Sequence, residues 1–458
     1  MPKNITIIGG GISGLTVLHY LKQKYAQRSD VQIRLLEKEN SLGGTIRSIR
    51  KENFLFETGP NGFLASKETT LDLINALGIR DKLLAAKSES KKRFMALNNK
   101  LFSIPLGPIS FLLFKPFSIF DKLRILREVT IPKNPDPGES VYDFAKRRLG
   151  TRFAELFIDP MIKGIFGGNA RELNLKCAIP RIYELEEMYG SLFKAMFALA
   201  KQKRKEGEKE IYNGLPKGQL TSFQNGMGEL IDALSQKYRD SICQNEEVCG
   251  ISRSNNRFIL QTTKGEYSCE EVFLCAPAYA GAHILFSFNK TLAEALKKIY
   301  YAPIAVVGLA YRKTAFEIQP DGFGYLIPSQ EKKDVLGVLF SSQIFQNRSD
   351  ANHVLLQVMI GGAGSERLFD QPQDKILELA KNEIKTVLEA KQDPVKEFYS
   401  FWQKGIPQYN LNYPELTRMI EQEASKIRGF FLCANYIGGI SVNDCIAHAK
   451  LAAEKSSL

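Results

Sequence analysis

Three glycines near the start of the chain are spaced as Gly9-x-Gly11-x-x-Gly14, between the apolar run Ile5 to Ile8 and a stretch of helical periodicity that begins at Ile12. In such a turn the first glycine allows the tight bend, the second lets a pyrophosphate approach the backbone, and the third lets the helix pack on the strand. The free N–H groups and the dipole of the helix N-terminus favour the anion. This spacing predicts a site for an adenine dinucleotide. The alternative is a tight strand-to-helix turn without a ligand.

An acidic residue completes this predicted unit. The β-branched run Val31 to Leu36 ends at Glu37, which lies 23 residues after Gly14. A carboxylate at that distance can accept hydrogen bonds from both ribose hydroxyls, and it disfavours a 2′-phosphate. Strand, glycine turn, helix, strand and acid together predict a Rossmann-like βαβ unit.

Two further glycine segments favour FAD over NAD. Gly43 and Gly44 follow Glu37 closely and precede Arg47, which suggests a second close approach of backbone to the longer cofactor. Residues 57–63, with Gly59 at their centre, supply another backbone-rich loop. The alternative is that both segments are ordinary loops, in which the glycines only permit turns.

A third glycine turn lies near the C-terminus, where Gly438 and Gly439 separate the predicted strand Phe430 to Ala434 from a helix. A helix N-terminus at this point would direct N–H groups at a bound ring and stabilise the negative charge that a flavin gains on reduction. The alternative is a turn that only lets the helix pack.

The composition sets limits on the elements that must position these residues. The chain has 458 residues, of which 44% are hydrophobic and 24% charged, so it is long enough for two to four domains with their own cores. Fibrous and disordered classes are excluded. The longest largely apolar run, Ile104 to Phe114, is 11 residues and contains two prolines, too short for a membrane span. We expect no signal peptide, because Ile5 follows the first four residues directly.

Cysteine and histidine usage argues against a metal site. The seven cysteines contain no C-x-x-C pair, and the four histidines have no metal-ligand spacing. The cysteines therefore indicate small apolar residues in a reducing, cytoplasmic environment.

Positive charge is concentrated in one part of the chain. The net charge is +12, and residues 87–210 hold 24 Lys and Arg against 15 Asp and Glu. This charge suits either a solvated face or an acidic partner, namely anionic lipid, a polycarboxylate substrate or, least of all, nucleic acid. Within it, Phe111 to Phe117 is an apolar-aromatic run interrupted by Lys115, which either lies in a lipid headgroup region or forms an inner helix.

The secondary structure predicted from the sequence changes several times along the chain. Helical periodicity dominates residues 84–218, with clear helices predicted at Tyr142 to Leu149 and Leu185 to Leu199, and a proline-marked break at 132–137. Strand patterns return at Arg257 to Thr263, Val272 to Ala276 and across residues 300–360, and Asp374 to Glu389 has an apolar helical face. A dinucleotide fold that is interrupted and resumed predicts a discontinuous cofactor domain.

These motifs together resemble the FAD-dependent amine oxidase, phytoene desaturase and protoporphyrinogen oxidase superfamily, and within it the oxygen-dependent protoporphyrinogen/coproporphyrinogen oxidases. Residues 56–63, 159–168, 322–329 and 336–342 carry the specific part of the resemblance, which covers nearly the whole chain. The resemblance implies an α/β fold with a discontinuous Rossmann-like FAD domain, a mixed-sheet substrate domain and a helical membrane-facing domain. We place the FAD domain at 1–83, 219–284 and 408–458, the substrate domain at 84–140, 206–218 and 285–407, and the helical domain at 141–205.

The resemblance also implies site residues. At the substrate it places Arg93, facing a carboxylate, Leu326 and Leu339, which sandwich the macrocycle, and Gly164 and Met359; plain core packing is the alternative for the two leucines and the methionine. The predicted cofactor residues are Gly9, Gly11, Ile12, Ser13, Gly14, Glu37, Lys38, Gly43, Gly44, Thr45, Arg47, Gly59, Pro60, Asn61, Val248, Asn435, Ile440, Ser441 and Val442.

The implied reaction is the FAD-dependent oxidation of a porphyrinogen in haem biosynthesis, in three two-electron rounds, with O2 as acceptor and H2O2 as product. Hydride transfer to a flavin needs positioning more than a side-chain base, so no residue is assigned as catalytic. A flavin amine oxidase or carotenoid desaturase of the same superfamily, and a FAD-free carrier with this fold, are the alternatives. We expect a cytoplasmic protein, with an anionic membrane surface as a further candidate partner on the inner face of the cell membrane. The choice between two- and four-propionate porphyrinogens stays open.

Overall fold

The computed structural model describes residues 3–134, 136–206, 211–212, 215–216 and 218–458. Its parallel sheet consists of five strands, in the spatial order Ile242–Cys243, Val31–Leu36, Lys3–Ile8, Glu271–Leu274, Phe430–Leu432. All five come from segments assigned to the FAD domain by sequence. The strand predicted at Val31 to Leu36 is confirmed residue for residue.

Alternate residues of the parallel sheet pack on opposite layers. Ile5 and Ile7 lie in one core with the helices Ile12–Lys24, Glu68–Leu77, Gly228–Lys237 and Val442–Glu454. Ile8 and Leu274 lie in the other core, with the helices Ala278–Leu285, Lys290–Lys297 and Tyr413–Ser425 and the antiparallel sheet Val248–Ser254, Arg257–Thr262, Gly265–Cys269. Parallel strands buried on both faces read as near-continuous apolar runs, as here.

The large sheet has seven strands, in the order Lys396–Pro407, Tyr301–Arg312, His353–Gly361, Val335–Leu339, Gly324–Leu326, Phe94–Leu97, Lys100–Ser103. One pair, Gly324–Leu326 with Phe94–Leu97, is parallel, and the others are antiparallel, so the sheet is mixed. Helix Gln373–Val387 covers one face. The helix predicted at Asp374 to Glu389 is thus confirmed to within two residues at its C-terminus, with its apolar residues buried.

Eight of the helices in the described part of the chain lie between residues 108 and 206: Pro108–Leu112, Ile119–Leu126, Val141–Leu149, Thr151–Phe153, Asp159–Phe166, Leu175–Ala178, Pro180–Tyr189 and Leu192–Glu206. A π-helical turn, Ala154–Ile158, precedes Pro160, which has no N–H to give to an ordinary helical bond. The guanidinium of Arg148, fully buried, donates to Glu128 and Glu186 and holds these helices together.

One predicted helix is wrong. Leu185 to Leu199 was expected to be continuous, but the structure divides it at Gly190, which has a φ of +69°. The left-handed glycine ends the first helix, and Ser191 Oγ then accepts the N–H of Lys194 at 3.2 Å in the first turn of the next. Apolar residues recur at helical spacing on both sides of Gly190, so the sequence pattern did not indicate the break.

The remaining elements are short. Strand Ser48–Lys51 pairs with Phe54–Glu57, Phe63–Leu64 and Leu83–Ala85 flank Leu220–Phe223, and Ile211–Tyr212 pairs with Leu215–Pro216; helix Ser341–Ile344 follows the large sheet strand Val335–Leu339. Parts of two sequence predictions, Pro135 in the proline-marked break and residues 207–210, 213, 214 and 217 in the segment 206–218, lie outside the described residues. The domain boundaries stay a prediction. No helix within the described ranges combines the length and the apolar character needed to cross a bilayer.

Candidate functional site

The glycine turn places its three glycines in different surroundings. Gly9 has a φ of +107°, and a Cβ on Gly14 would stand 1.9 Å from Gly9 O, so helix Ile12–Lys24 packs against the turn only without that atom. A Cβ on Gly11 would meet nothing within 4 Å. Gly11 is also the N-cap of the helix, and no side chain caps the first turn. The open space and the uncapped N–H groups fit a pyrophosphate.

Glu37 lies directly beside this turn. Its Oε2 accepts the N–H of Gly10 at 2.6 Å, and its Oε1 accepts the N–H of Glu39 at 2.9 Å. Each carboxylate oxygen has a second lone pair, so these bonds leave acceptor capacity for a ribose. The carboxylate therefore holds the glycine turn in place, a role that the sequence did not indicate, and its contact with a ribose stays a prediction.

The second glycine pair approaches the first turn. Gly43 donates its N–H to Gly10 O at 2.8 Å and forms a bridge with Gly11, while a Cβ on Gly44 would stand 3.8 Å from Gly11 Cα. Both glycines have positive φ, +98° and +59°. Arg47 Nε donates back to Gly44 O at 3.0 Å. The structure thus brings the two predicted cofactor loops together.

The loop that contains Gly59 is fitted against the same segment. Thr58 Oγ1 donates to Thr45 O at 3.0 Å, and a Cβ on Gly59 would stand 2.4 Å from that oxygen. Trp402 Nε1 donates to Thr58 O at 2.8 Å, and the Arg47 guanidinium lies 5.7 Å from the Trp402 ring centre. Trp402, the only tryptophan of the chain, was not among the predicted site residues.

The C-terminal turn is held by tyrosines and capped by its own side chain. Tyr409 OH donates to Asn435 O at 2.5 Å. Ser441 Oγ accepts the N–H of Asp444 at 3.1 Å and caps helix Val442–Glu454. One N–H of the first turn is therefore already satisfied within the chain.

The predicted cofactor residues differ in exposure. Lys38, Gly44, Thr45 and Ser441 are exposed; Gly9, Gly11, Glu37, Arg47, Gly59, Pro60, Asn61, Asn435 and Ile440 are half-buried; Ile12, Ser13, Gly14, Gly43, Val248 and Val442 are buried. Lys38 lies 3.6 Å from Glu39, and Val248 follows Glu246, whose N–H bonds Glu37 O. Their roles at the cofactor stay a prediction.

A buried carboxylate supports two of these loops and was missed in the sequence. Glu57 accepts Ser48 Oγ at 2.7 Å and the N–H of Met227 at 3.0 Å, and Arg348 lies 3.6 Å away. Burial raises the pKa of Glu57 to about 7, against the opposing effects of Arg348, Ser48 and Met227. Its place just before the loop of Gly59 was the available signal, but its partners are remote in sequence.

Three of the five predicted substrate residues, Leu326, Leu339 and Met359, share one face of the large sheet. Leu326, Gly337 and Met359 are paired across adjacent strands, and Leu339 lies two residues beyond Gly337 on the same side. Trp402 lies on this face too. It pairs with Ile304, which is two residues along the same strand from Val306, the partner of Met359. The opposite face packs under helix Gln373–Val387. The face that carries the aliphatic residues is thus joined to the cofactor loops through Trp402.

Gly164 and Arg93 lie at the borders of this face. A Cβ on Gly164 would stand 2.8 Å from Leu326 Cδ2. Arg93 is exposed, and its guanidinium lies 4.8 Å from the ring centre of Phe323. Among the described side chains no carboxylate pairs with Arg93. Its charge is therefore free for an anion.

Comparison with known proteins identifies the class. Residues 12–455 match the family described as flavin-containing amine oxidoreductase, and the chain belongs to that family. The predictions of an FAD-containing oxidoreductase and of its fold class are confirmed.

Several similar proteins are named as porphyrinogen oxidases. The chain is 28% identical to protoporphyrinogen oxidase 1 of Arabidopsis thaliana, covering 98% of this chain and 87% of the relative, and 29% identical to protoporphyrinogen oxidase of Homo sapiens, covering 99% and 98%. Coproporphyrinogen III oxidase of Bacillus subtilis is 23% identical, covering 98% and 97%. A crystal structure from Exiguobacterium sp. 255-15, provisionally assigned as a protoporphyrinogen oxidase, matches with a TM-score of 0.84 at 23% identity over 99% of this chain and 98% of that one, which shows the fold. The resemblance seen in the sequence is confirmed.

Proposed function

We propose that this protein oxidises a porphyrinogen to the porphyrin in haem biosynthesis, with FAD as cofactor and O2 as acceptor. The observation that carries the proposal is the aliphatic face of Leu326, Leu339 and Met359, which is joined to the cofactor loops by the bond from Trp402 to Thr58. Relatives named for protoporphyrinogen and coproporphyrinogen oxidation align with nearly the whole chain.

The bound FAD would supply the hydride acceptor, held by the turns of Gly11, Gly44 and Gly59 and by Glu37. The chain's own residues position the substrate. The aliphatic face takes the apolar macrocycle and excludes water, and Arg93 pairs with a propionate at its edge. Gly164 leaves room beside Leu326 for a ring that a larger residue would displace.

No side-chain base takes part in this scheme. Two rows of residues run across the face from strand to strand, and neither contains a carboxylate, histidine or lysine. One row is Leu326, Gly337, Met359, Val306 and Ser400, and the other is Gly324, Leu339, Gln357, Gly308 and Phe398. Specificity and rate then depend on how the macrocycle is oriented. Three two-electron rounds would convert one porphyrinogen into the porphyrin, and O2 would take the electrons as H2O2.

The amine oxidase alternative has less support. An aromatic cage for an amine would need free ring faces near the C-terminal turn. Tyr436 is buried, and Trp402 is bonded to Thr58 with Arg47 near its ring. Family membership favours an enzyme over a FAD-free carrier.

The experiment is an aerobic assay of the purified holoenzyme with coproporphyrinogen III and protoporphyrinogen IX in parallel. Porphyrin fluorescence and H2O2 are measured together, and putrescine is the matched amine substrate. Porphyrin formation with either porphyrinogen and none with putrescine supports the proposal. H2O2 formation with putrescine alone would overturn it in favour of the amine oxidase.

We also infer that the protein attaches to an anionic membrane surface from the cytoplasmic side. Nine large apolar side chains of residues 106–129 are 40% to 79% exposed: Leu106, Ile109, Leu112, Leu113, Ile119, Phe120, Leu123, Leu126 and Val129. We call this set the apolar ridge. Helix Ile119–Leu126 presents four of them on one side, at i, i+1, i+4 and i+7. A concentration of exposed large apolar side chains of this kind is typical of a partner or membrane contact.

The sequence left open whether the run Phe111 to Phe117 contacts lipid or forms an inner segment, and the structure shows features of both. Phe114 and Phe117 are buried against Leu156, as in an inner segment, while Leu112 and Leu113 point outward. The excess of cations in residues 87–210 would add attraction to anionic lipid. Co-sedimentation with anionic vesicles at low salt is expected, and a protein that stays in the supernatant under that condition contradicts the attachment.

A further inference from the structure

A groove opens next to the apolar ridge. It has a volume of about 400 Å³ and lies between helix Ile119–Leu126, helix Val141–Leu149 and the start of the helix that follows Gly150. Phe120, one of the ridge residues and 79% exposed, also lines the groove, together with Leu149 and Phe153. The groove therefore continues from the apolar surface and has apolar walls on that side.

The polar side chains of the groove are mainly cationic, and one of them, Arg124, is held in place by hydrogen bonds to backbone oxygens. The Arg124 guanidinium donates to Arg147 O at 2.5 Å and to Arg148 O at 3.1 Å. Gly150 has a φ of +97°, and a Cβ there would stand 2.9 Å from Arg124 Cγ, so the glycine lets the arginine lie against the turn. This arginine is preorganised, which lowers the entropy cost of binding an anion.

Two more cations line the groove. Lys146 is exposed, and among the described residues it has no carboxylate partner. Arg152 bonds Gln330 at 3.0 Å and lies 3.9 Å from Glu155. The one acidic lining residue, Asp121, is occupied by Ser118, whose N–H and Oγ it accepts at 2.9 and 2.6 Å. Three cations against one engaged carboxylate make the groove complementary to a phosphate.

We propose that this groove binds the phosphate of an anionic glycerophospholipid, while the ridge rests in the outer acyl region of the same bilayer. The proposal rests on the membrane attachment proposed above. It adds a specific headgroup site, with Arg124 and Lys146 as the phosphate ligands and Phe120 marking where the acyl chains leave the groove. A surface that only attracts anionic lipid would not depend on the space in the groove.

The test is vesicle co-sedimentation of the holoenzyme with phosphatidylcholine alone and with added phosphatidylglycerol. Lys146→Gln removes a cation from the groove, and Thr151→Trp fills the groove without a change of charge. Lys385→Gln, on the distant helix Gln373–Val387, is the control for net charge. We expect each groove variant to weaken binding to the phosphatidylglycerol vesicles about fivefold, and the control to stay within about twofold of the wild type.

The outcomes separate the two proposals. Wild-type binding that Thr151→Trp leaves unchanged overturns the headgroup site but leaves membrane attachment standing. A wild type that binds no vesicles overturns both. Binding of inorganic phosphate to the wild type but not to Thr151→Trp, together with vesicle binding that Thr151→Trp leaves unchanged, would identify a site for free phosphate and would overturn the lipid assignment. All variants should keep wild-type FAD content and porphyrinogen turnover in solution, which shows that they are folded.

Discussion

The helix residue Gly164 and the strand residue Leu326 pack closely at the border of the proposed substrate site, where a Cβ added to Gly164 would stand only 2.8 Å from Leu326 Cδ2. Leu326 belongs to the aliphatic face of the large sheet, and Gly164 lies within helix Asp159–Phe166. The position of the Leu326 side chain on this face therefore depends on the absence of a Cβ at residue 164.

Gly164→Ala should lower kcat/KM for porphyrinogens by about 10- to 100-fold, because the displaced Leu326 side chain would misplace the macrocycle. Alanine favours a helix over glycine by about 1 kcal/mol, so Tm should not fall, and the flavin spectrum should be unchanged. Steady-state kinetics with thermal unfolding checks both. The double variant Gly164→Ala/Leu326→Val should recover part of the activity. A single variant with wild-type kinetics would place the glycine outside the site.

The glycine turn gives a paired prediction. Gly11→Ala should fold but lose FAD, because its Cβ meets no protein atom and would occupy the predicted pyrophosphate space. Gly14→Ala should lose stability as well, since its Cβ would stand 1.9 Å from Gly9 O. Flavin content after gel filtration and circular dichroism distinguish the two. Full FAD retention in folded Gly11→Ala protein is the result that counts against this cofactor position.

Glu57 predicts a pH dependence. Its pKa is raised by burial from 4.5 to about 7 in the folded protein, so the folded state binds this proton more tightly than the unfolded chain does. The stabilising contribution is therefore fully present below pH 4.5 and is lost as the pH rises through about 7. Glu57→Gln cannot ionise, so its unfolding free energy should lack this pH-dependent loss, and its pH profile should be flatter than that of the wild type, although the variant leaves the buried Arg348 without its carboxylate partner. Denaturant unfolding at several pH values checks it; parallel curves for the two proteins would refute it.

Arg93 tests recognition of the substrate carboxylate. Arg93→Ala should raise KM for porphyrinogens by about 10-fold or more without altering FAD content, because a charge-assisted bond to a propionate is lost. Arg93→Lys should recover only part, since a point charge replaces a bidentate fork. Unaltered kinetics in the alanine variant would return Arg93 to the role of a solvated charge.

The local elements could be predicted where one short segment determines them. The strand Val31–Leu36 and the helix that starts at Ile12 follow from apolar period and glycine position alone. The break at Gly190 could not be predicted, because the same apolar period continues on both sides and only the left-handed glycine ends the helix.

The site was harder to predict from the sequence, because its residues are brought together by the register of paired strands that are distant in sequence. Leu326 and Met359 share a face only because Gly337 pairs with both, and Trp402 reaches Thr58 from the edge strand of another sheet. Glu57 and Arg348 are likewise brought together by the fold. Unaided by a family resemblance, the aliphatic residues are indistinguishable from core, since nothing local separates a substrate face from a packed one.

The central claim is that a porphyrinogen delivers its electrons to the bound FAD, and an anaerobic titration of the purified holoenzyme tests it most directly. Each porphyrinogen loses six electrons and each FAD takes two, so one equivalent of coproporphyrinogen III or protoporphyrinogen IX should bleach three equivalents of flavin, with porphyrin fluorescence appearing in step. Flavin that keeps its full visible absorbance with both porphyrinogens, yet bleaches with dithionite, would contradict the account.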